Sequence, residues 1–174
     1  MALDLSNLSP ADIAVTMRSL RRRFGEALAP DEDENGDEDG DGDAASLARM
    51  VGPDGASALD HVADTGRMLA LFGGALGEVL SGRQPVLHAA ITDPGARQWE
   101  HAATDLEGEL SLLVDEAGVL ADRVERTPAD QWGRVGRVVG GTELTALDLA
   151  KEAVRVAIAG LHATEAAMAA ARGT

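Results

Sequence analysis

The chain has 174 residues and a mass of 18.0 kDa, which fits one domain spanning residues 1–174. Its net charge of −15 argues against nucleic-acid binding, which needs an excess of Lys and Arg, and the lack of cysteine excludes disulfides and thiol nucleophiles. The sequence contains neither an apolar run of membrane-spanning length nor a signal-peptide pattern, which predicts a cytoplasmic protein with no membrane partner.

The amino-acid composition favours helices over strands. Aromatic residues make up only 2% of the chain, so Ala and aliphatic side chains must build the core, and Ala and Leu are the best helix formers. The chain has a single Lys among its 15 basic residues, with abundant Ala and Gly. This bias is typical of a GC-rich, actinobacterial-type coding sequence.

The first predicted helix runs from Ser9-Pro10 to near Pro30, because Ser is a good N-cap and Pro fits the first turn. Residues 31–43 follow, with nine acidic residues and no apolar side chain, which predicts a disordered acidic insertion. The segment partly matches a calcium-binding loop, but Gly42 stands where the loop needs a bidentate Glu. We therefore favour a solvated insertion over a calcium site.

Three further long helices are predicted from apolar periodicity. They span about Ala56 to Leu80, from Thr92 or Asp93 to about Thr127, and about Leu144 to Arg172. Residues 128–141 are expected to form a short helix and a loop. Four long helices without strand-like alternation predict an all-α four-helix bundle, although periodicity leaves its topology open.

The histidine pattern gives no strong metal signal. No two of the four His are spaced i,i+4 on one helix, and the sequence lacks a Ser-His-Asp elbow, a phosphate-binding glycine loop and a dinucleotide fingerprint. The sequence motifs therefore do not identify a reaction.

Several segments taken together resemble the DinB-like superfamily, which includes mycothiol-dependent maleylpyruvate isomerases. They are residues 55–64 (GASALDHVAD), Arg83-x-Pro85, residues 127–136 (TPADQWGRVG) and residues 144–149 (LTALDL). The resemblance spans roughly residues 55–165 and implies a four-helix bundle in which His61 occupies a metal-ligand position.

The last helix departs from the family pattern. The family usually supplies His-x-x-x-His there, whereas the matching positions in this chain fall on Arg155 and Ala159. An alignment slipped along the helix would instead join His162 to His61, which still leaves two ligands where a catalytic zinc needs three. We therefore expect no tightly bound metal and no other cofactor.

The resemblance also implies a pocket at the end of the bundle that binds a small anionic molecule. We expect Arg155 to point inward, to pair with Asp64 in the free protein, and to hold a ligand carboxylate or phosphate. His61 is the candidate general acid or base. The expected ligand-binding residues are Asp64, Trp99, Trp132, Arg134, Arg155 and His162, with Arg134 on a covering loop.

A second hypothesis belongs to a different class. The chain would then be a non-catalytic bundle that forms a homodimer or acts as an accessory protein, with the acidic segment recruiting a partner. Fold alone does not distinguish an enzyme from an interaction protein, so both hypotheses stay open at this point.

Overall fold

The computed structural model describes residues 5–29, 40–97 and 103–173, and within these ranges the protein is mostly helical. The helices are α1 (Pro10–Leu28), α2 (Gly40–Leu47), α3 (Ala58–Leu80), α4 (Leu106–Arg126) and α5 (Ala146–Arg172). Both α1 and α3 pack against α4 and α5. The predicted predominance of helix is confirmed, whereas the short helix α2 was not predicted.

Contacts at their ends show that α1 and α5 run in the same direction. Lys151, near the start of α5, donates a 2.8 Å hydrogen bond to the carbonyl of Ser6, just before α1. At the other end, Arg172 donates to the carbonyl of Ala29, just after α1. Both starts and both ends therefore lie together.

Helices α3 and α4 also run parallel to each other. Gly66 lies against the backbone of Leu113, and about three turns later Gly77 lies under the guanidinium of Arg123. Gly66 favours this close packing, because a Cβ there would come within 3.3 Å of the α4 backbone and would need a small shift of the helices. The connection between these two helices must therefore return the chain along their whole length.

Three helices begin with a capping box, and the predicted N-cap at Ser9 is confirmed. A Ser or Thr and an Asp three residues later form reciprocal capping boxes at the starts of α1, α3 and α5, in the pairs Ser9–Asp12, Ser57–Asp60 and Thr145–Asp148. Hydrogen bonds from the Ser57 side chain and backbone lower the pKa of Asp60. Gly173 ends α5 in the left-handed conformation, which glycine adopts readily.

The prediction that the third long helix begins at Thr92 or Asp93 is wrong. Asp93 caps only a short 3₁₀ turn, Pro94–Ala96, and Arg97 then adopts extended backbone angles. Residues 103–105 are non-helical, and Asp105 caps α4 by accepting a hydrogen bond from the backbone N–H of Gly108. The Asp-Pro-Gly sequence favours a tight turn, which explains the misassigned start.

A small sheet also departs from the expectation of no strands. Its strands are β1 (Val86–Leu87), β2 (Val135–Val138) and β3 (Glu143–Thr145), in the order β1-β2-β3. The pairing of β1 with β2 is parallel, and β2 pairs antiparallel with β3 through a turn at Gly140 and Gly141, which both have positive φ. Because β3 occupies residues 143–145, α5 starts at Ala146 instead of Leu144.

Most of the acidic segment predicted to be disordered lies outside the described residues, and its last four positions, 40–43, form the start of α2. In the part of the chain that the structure describes, none of the helices combines the length and apolar character of a membrane span.

Candidate functional site

The candidate site lies where α3 and α5 cross. The two helices are antiparallel, because Gly52, just before α3, lies against Ala167 near the end of α5. At the crossing, a Cβ on Gly160 would come within 1.9 Å of Oγ1 of the buried Thr65. Glycine at this position therefore allows the close approach of the helices that forms the back of the site.

A cavity of about 270 Å³ opens beside this crossing, and we call it the His61 cavity. It is lined by His61, Asp64 and Thr65 from α3, by Pro94 and Arg97 from the segment after β1, and by Arg155, Val156, Ala159, Gly160 and Ala163 from α5. The walls contributed by α5 are made largely of small side chains. The charged side chains of the lining are Asp64 on α3, Arg97 in the segment after β1, and Arg155 at the rim.

His61 is held in the first turns of α3 with 17% of its side chain exposed. Its Nε2 atom lies 3.1 Å from Oδ2 of Asp54, in the turn that precedes α3. The geometry of this contact is not that of a hydrogen bond, and the buried Nε2 has no hydrogen-bond partner within the described residues. The imidazole is therefore placed by packing and by one nearby carboxylate.

Arg97 is a residue of the site that sequence analysis missed. Its Nη1 lies 3.8 Å from Oδ2 of Asp64, and its buried Nε has no hydrogen-bond partner in the described ranges. Only 23% of the side chain is exposed, so this guanidinium is largely withdrawn from water. No sequence signal identified Arg97, because the helix predicted over this segment would have placed the side chain differently.

The predicted ion pair between Arg155 and Asp64 is wrong. Arg155 instead binds Glu152, one turn earlier on α5, with Nε 2.7 Å from Oε2. The Arg155 side chain is 52% exposed, so it lies at the rim of the His61 cavity and does not point inward. Its own helix supplies a carboxylate at the favourable i,i−3 spacing, which explains the local pairing.

Other predicted site residues lie elsewhere. Arg134 donates from Nη1 to the carbonyl of Leu80 at the far end of α3, about 28 Å along the helix from His61. Trp132 is half-buried beside it, and its carbonyl accepts a 3.3 Å hydrogen bond from the N–H of Leu147. Neither residue lines the His61 cavity.

The remaining two expectations concern His162 and Trp99. His162 is exposed and is not part of the cavity wall, because the face of α5 that meets α3 carries Ala159 and Ala163. Trp99 lies outside the described residues. The structure thus brings His61, Asp64 and Arg155 to one cavity, and it separates Trp132, Arg134 and His162 from that cavity.

The described residues do not fit the metal that the family resemblance implies. His61 and Asp64 are the two cavity-lining residues of metal-ligating type in the described ranges, and Ala159 and Ala163 stand opposite them. A catalytic zinc site takes three protein ligands. Among the residues that the structure describes, no cluster of three such side chains is suited to hold a metal ion.

Comparisons with protein-family models, with curated proteins and with solved structures find no match to this chain.

Proposed function

We propose that this protein is a DinB-like four-helix-bundle protein that binds a small organic anion in the His61 cavity. The observation that carries the proposal is the incomplete pairing of Arg97 at the cavity wall. The guanidinium presents five N–H donors, whereas the nearest carboxylate within the described residues lies 3.8 Å from one of them.

Burial makes this arrangement energetically unfavourable without a further partner. An arginine withdrawn from water is stabilised by a well-aligned anion, and it is costly when its donors stay unused. A ligand carboxylate could accept two parallel hydrogen bonds from the guanidinium, which is a geometry that the Asp64 contact does not provide. Binding therefore supplies hydrogen bonds that the described residues do not provide to Arg97.

The charge distribution supports an anionic ligand of small size. Among the described residues that line the cavity, Arg97 and Arg155 are cationic and Asp64 is anionic, and Arg155 is paired with Glu152, so Arg97 is the cation that faces a ligand. Small side chains on α5 leave about 270 Å³ of space, which is below the range of typical drug-sized pockets. The cavity thus suits an anion with a short apolar body.

The other residues take supporting roles in this proposal. Arg155 stays paired with Glu152 at the rim, and Asp64 is displaced from Arg97 when the ligand binds. His61 is the candidate general acid or base, because its ring lines the cavity next to the proposed anion position. Nothing in this arrangement requires a metal ion.

Calorimetric titration with butyrate at low ionic strength tests the proposal, with butylamine as the cationic control probe. We expect butyrate to bind and butylamine not to bind. Arg97→Met should weaken butyrate binding at least about tenfold, since it removes a charge-assisted hydrogen-bonding group and keeps the apolar stem.

The matched control is Arg22→Met, because Arg22 is exposed on α1 and pairs with Glu26 on the same helix. This variant should bind butyrate as the wild type does. Equal affinity in Arg97→Met and wild type, or the absence of butyrate binding to the wild type, would contradict the proposal.

A further inference from the structure

The turn before α3 places a carboxylate against the imidazole of His61. Gly52 donates a 2.7 Å backbone hydrogen bond to Ala56, which closes the turn, and Oδ1 of Asp54 accepts from the N–H of Ala56. This leaves Oδ2 of Asp54 as the oxygen that lies 3.1 Å from Nε2 of His61. The contact is therefore built by local backbone structure on one side and by the first turns of α3 on the other.

The position of this carboxylate determines where the neutral imidazole carries its proton. The negative charge of this carboxylate lies 3.1 Å from Nε2, so it favours the tautomer that carries an N–H at Nε2 over the tautomer that carries a lone pair there. Asp54 is 57% exposed, and its attraction for Nε2 is electrostatic, without the alignment of a hydrogen bond. Nε2 is buried, and the structure provides it with no competing partner within the described residues.

The opposite nitrogen is available for chemistry. Nδ1 of His61 is not among the buried atoms, and no described residue forms a hydrogen bond with it. The neighbouring Asp60 is engaged by the hydroxyl and the N–H of Ser57 in the capping box. Asp64 and Arg97 face each other across the cavity wall.

We infer that Asp54 is a positioning residue that holds the proton of His61 on Nε2 and makes Nδ1 the base of the His61 cavity. The inference rests on the proposed function and adds a reaction class to it, namely proton transfer within the bound anion. Nδ1 takes a proton from an O–H or C–H next to the anionic group, and the electrons of that bond stay on the ligand. Asp54 stabilises the resulting imidazolium, which returns the proton to the same or a neighbouring atom.

Nitrogen-15 NMR of the ligand-free protein tests this assignment in alkaline buffer, where the imidazoles are neutral. Correlations from the non-exchanging ring protons report which nitrogen is protonated in each His. We expect His61 to carry its proton on Nε2 in the wild type. In Asp54→Ala the ratio of the Nδ1–H form to the Nε2–H form should rise severalfold, because the variant removes the attraction of a carboxylate in contact with one ring nitrogen.

His88 is an internal control in the same spectra. Its Nδ1 accepts a 3.1 Å hydrogen bond from the N–H of Ala90, so its proton must also lie on Nε2, and the variant should leave it unchanged. Asp54→Asn removes the charge but keeps the shape of the side chain, and it should shift the ratio in the same direction. A shift in both variants would show that the effect comes from the lost charge and not from a changed turn.

The inference is overturned if wild-type His61 carries its proton on Nδ1, or if its tautomer ratio is the same in both Asp54 variants and the wild type. The NMR measurement uses no ligand, so it can fail while butyrate still binds. A failed butyrate titration would instead contradict the proposed anion-binding function.

Discussion

Arginines near the two ends of α3 differ in their hydrogen bonding. Near its C-terminal end, Arg134 donates to the carbonyl of Leu80 and Arg123 donates to the carbonyl of Gly73. Near its N-terminal end, Arg97 lies beside the helix with a buried Nε that has no partner within the described residues. Both of these guanidinium groups donate to backbone carbonyls, whereas the Nε donor of Arg97 is left for a ligand by the described residues.

The arginines at the C-terminal end of α3 therefore contribute to stability, whereas the arginine at its N-terminal end contributes to ligand binding. A guanidinium that is hydrogen-bonded to a carbonyl stabilises the folded state, and its removal leaves that carbonyl without its partner. A guanidinium without good partners contributes little to folding, but it gains most when an anion arrives. Residue type alone therefore does not reveal the role of an arginine in this protein.

The largest effect is expected at the helix crossing behind the cavity. Gly160→Ala should reduce the free energy of unfolding by about 1–3 kcal/mol, because the new methyl group would overlap the side chain of the buried Thr65. Urea denaturation measures this change. Gly118→Ala is the matched control on α4, where no atom lies within 4 Å of the added carbon, and it should be neutral or stabilising by up to about 1 kcal/mol. Similar stabilities for the two variants would contradict the close packing at the crossing.

At the opposite end of α3, Arg134→Met should lower the free energy of unfolding by about 1–2 kcal/mol and leave butyrate affinity unchanged. The variant removes the bond to the carbonyl of Leu80 and keeps the side-chain stem. Arg137→Met is the control, because the exposed Arg137 makes only a surface pair with Glu143, and it should cost less than about 0.5 kcal/mol. Weaker butyrate binding in Arg134→Met would contradict the claim that the Leu80 end of α3 contributes to stability but not to anion binding.

A smaller, pH-dependent effect is expected at the start of α3. The pKa of Asp60 is lowered by its hydrogen bonds to Ser57, so its contribution to stability is present above the unfolded-state pKa of about 3.9. That contribution is lost as the pH falls through the lower, folded-state pKa. Asp60→Asn should therefore cost about 1 kcal/mol at neutral pH and progressively less as the pH falls below about 3.9. An equal loss at neutral and at acidic pH, measured by urea denaturation, would contradict the capping role of the carboxylate.

The smallest effect on folding is expected for Arg155→Ala. Its side chain is exposed and pairs with Glu152 on the same helix, so the loss should be under about 0.5 kcal/mol by urea denaturation. A loss above about 1 kcal/mol would instead indicate the inward, paired arginine that sequence analysis predicted.

Local signals gave the start of α1 and placed the starts of α3 and α5 within two residues, whereas the predicted start of α4 was wrong. The Ser9, Ser57 and Thr145 capping boxes depend on residues three positions apart, so the sequence contains the whole interaction. The strands depend on pairing between distant segments, and β1 has only two residues, too few for a periodic pattern. Gly140-Gly141, expected in a loop, proved to be the turn of a hairpin.

The site was predictable in part for a similar reason. The resemblance suggested a shared pocket for His61 and Arg155, but it did not give the rotation of α5, which determines that His162 points away and Arg155 lies at the rim. Arg97 was missed because its position depends on the chain leaving the 3₁₀ turn after Pro94 in an extended conformation. Sequence periodicity does not encode that exit direction.

The central claim is that an anion binds at the His61 end of α3 and not at the Leu80 end. Titrating the uniformly nitrogen-15-labelled protein with butyrate, and mapping the backbone amide shifts, tests it directly. The account predicts saturable shifts clustered around His61, Arg97 and residues 155–163, and their loss in Arg97→Met. Shifts centred on Leu80 and Arg134, or shifts of equal size in Arg97→Met, would contradict it.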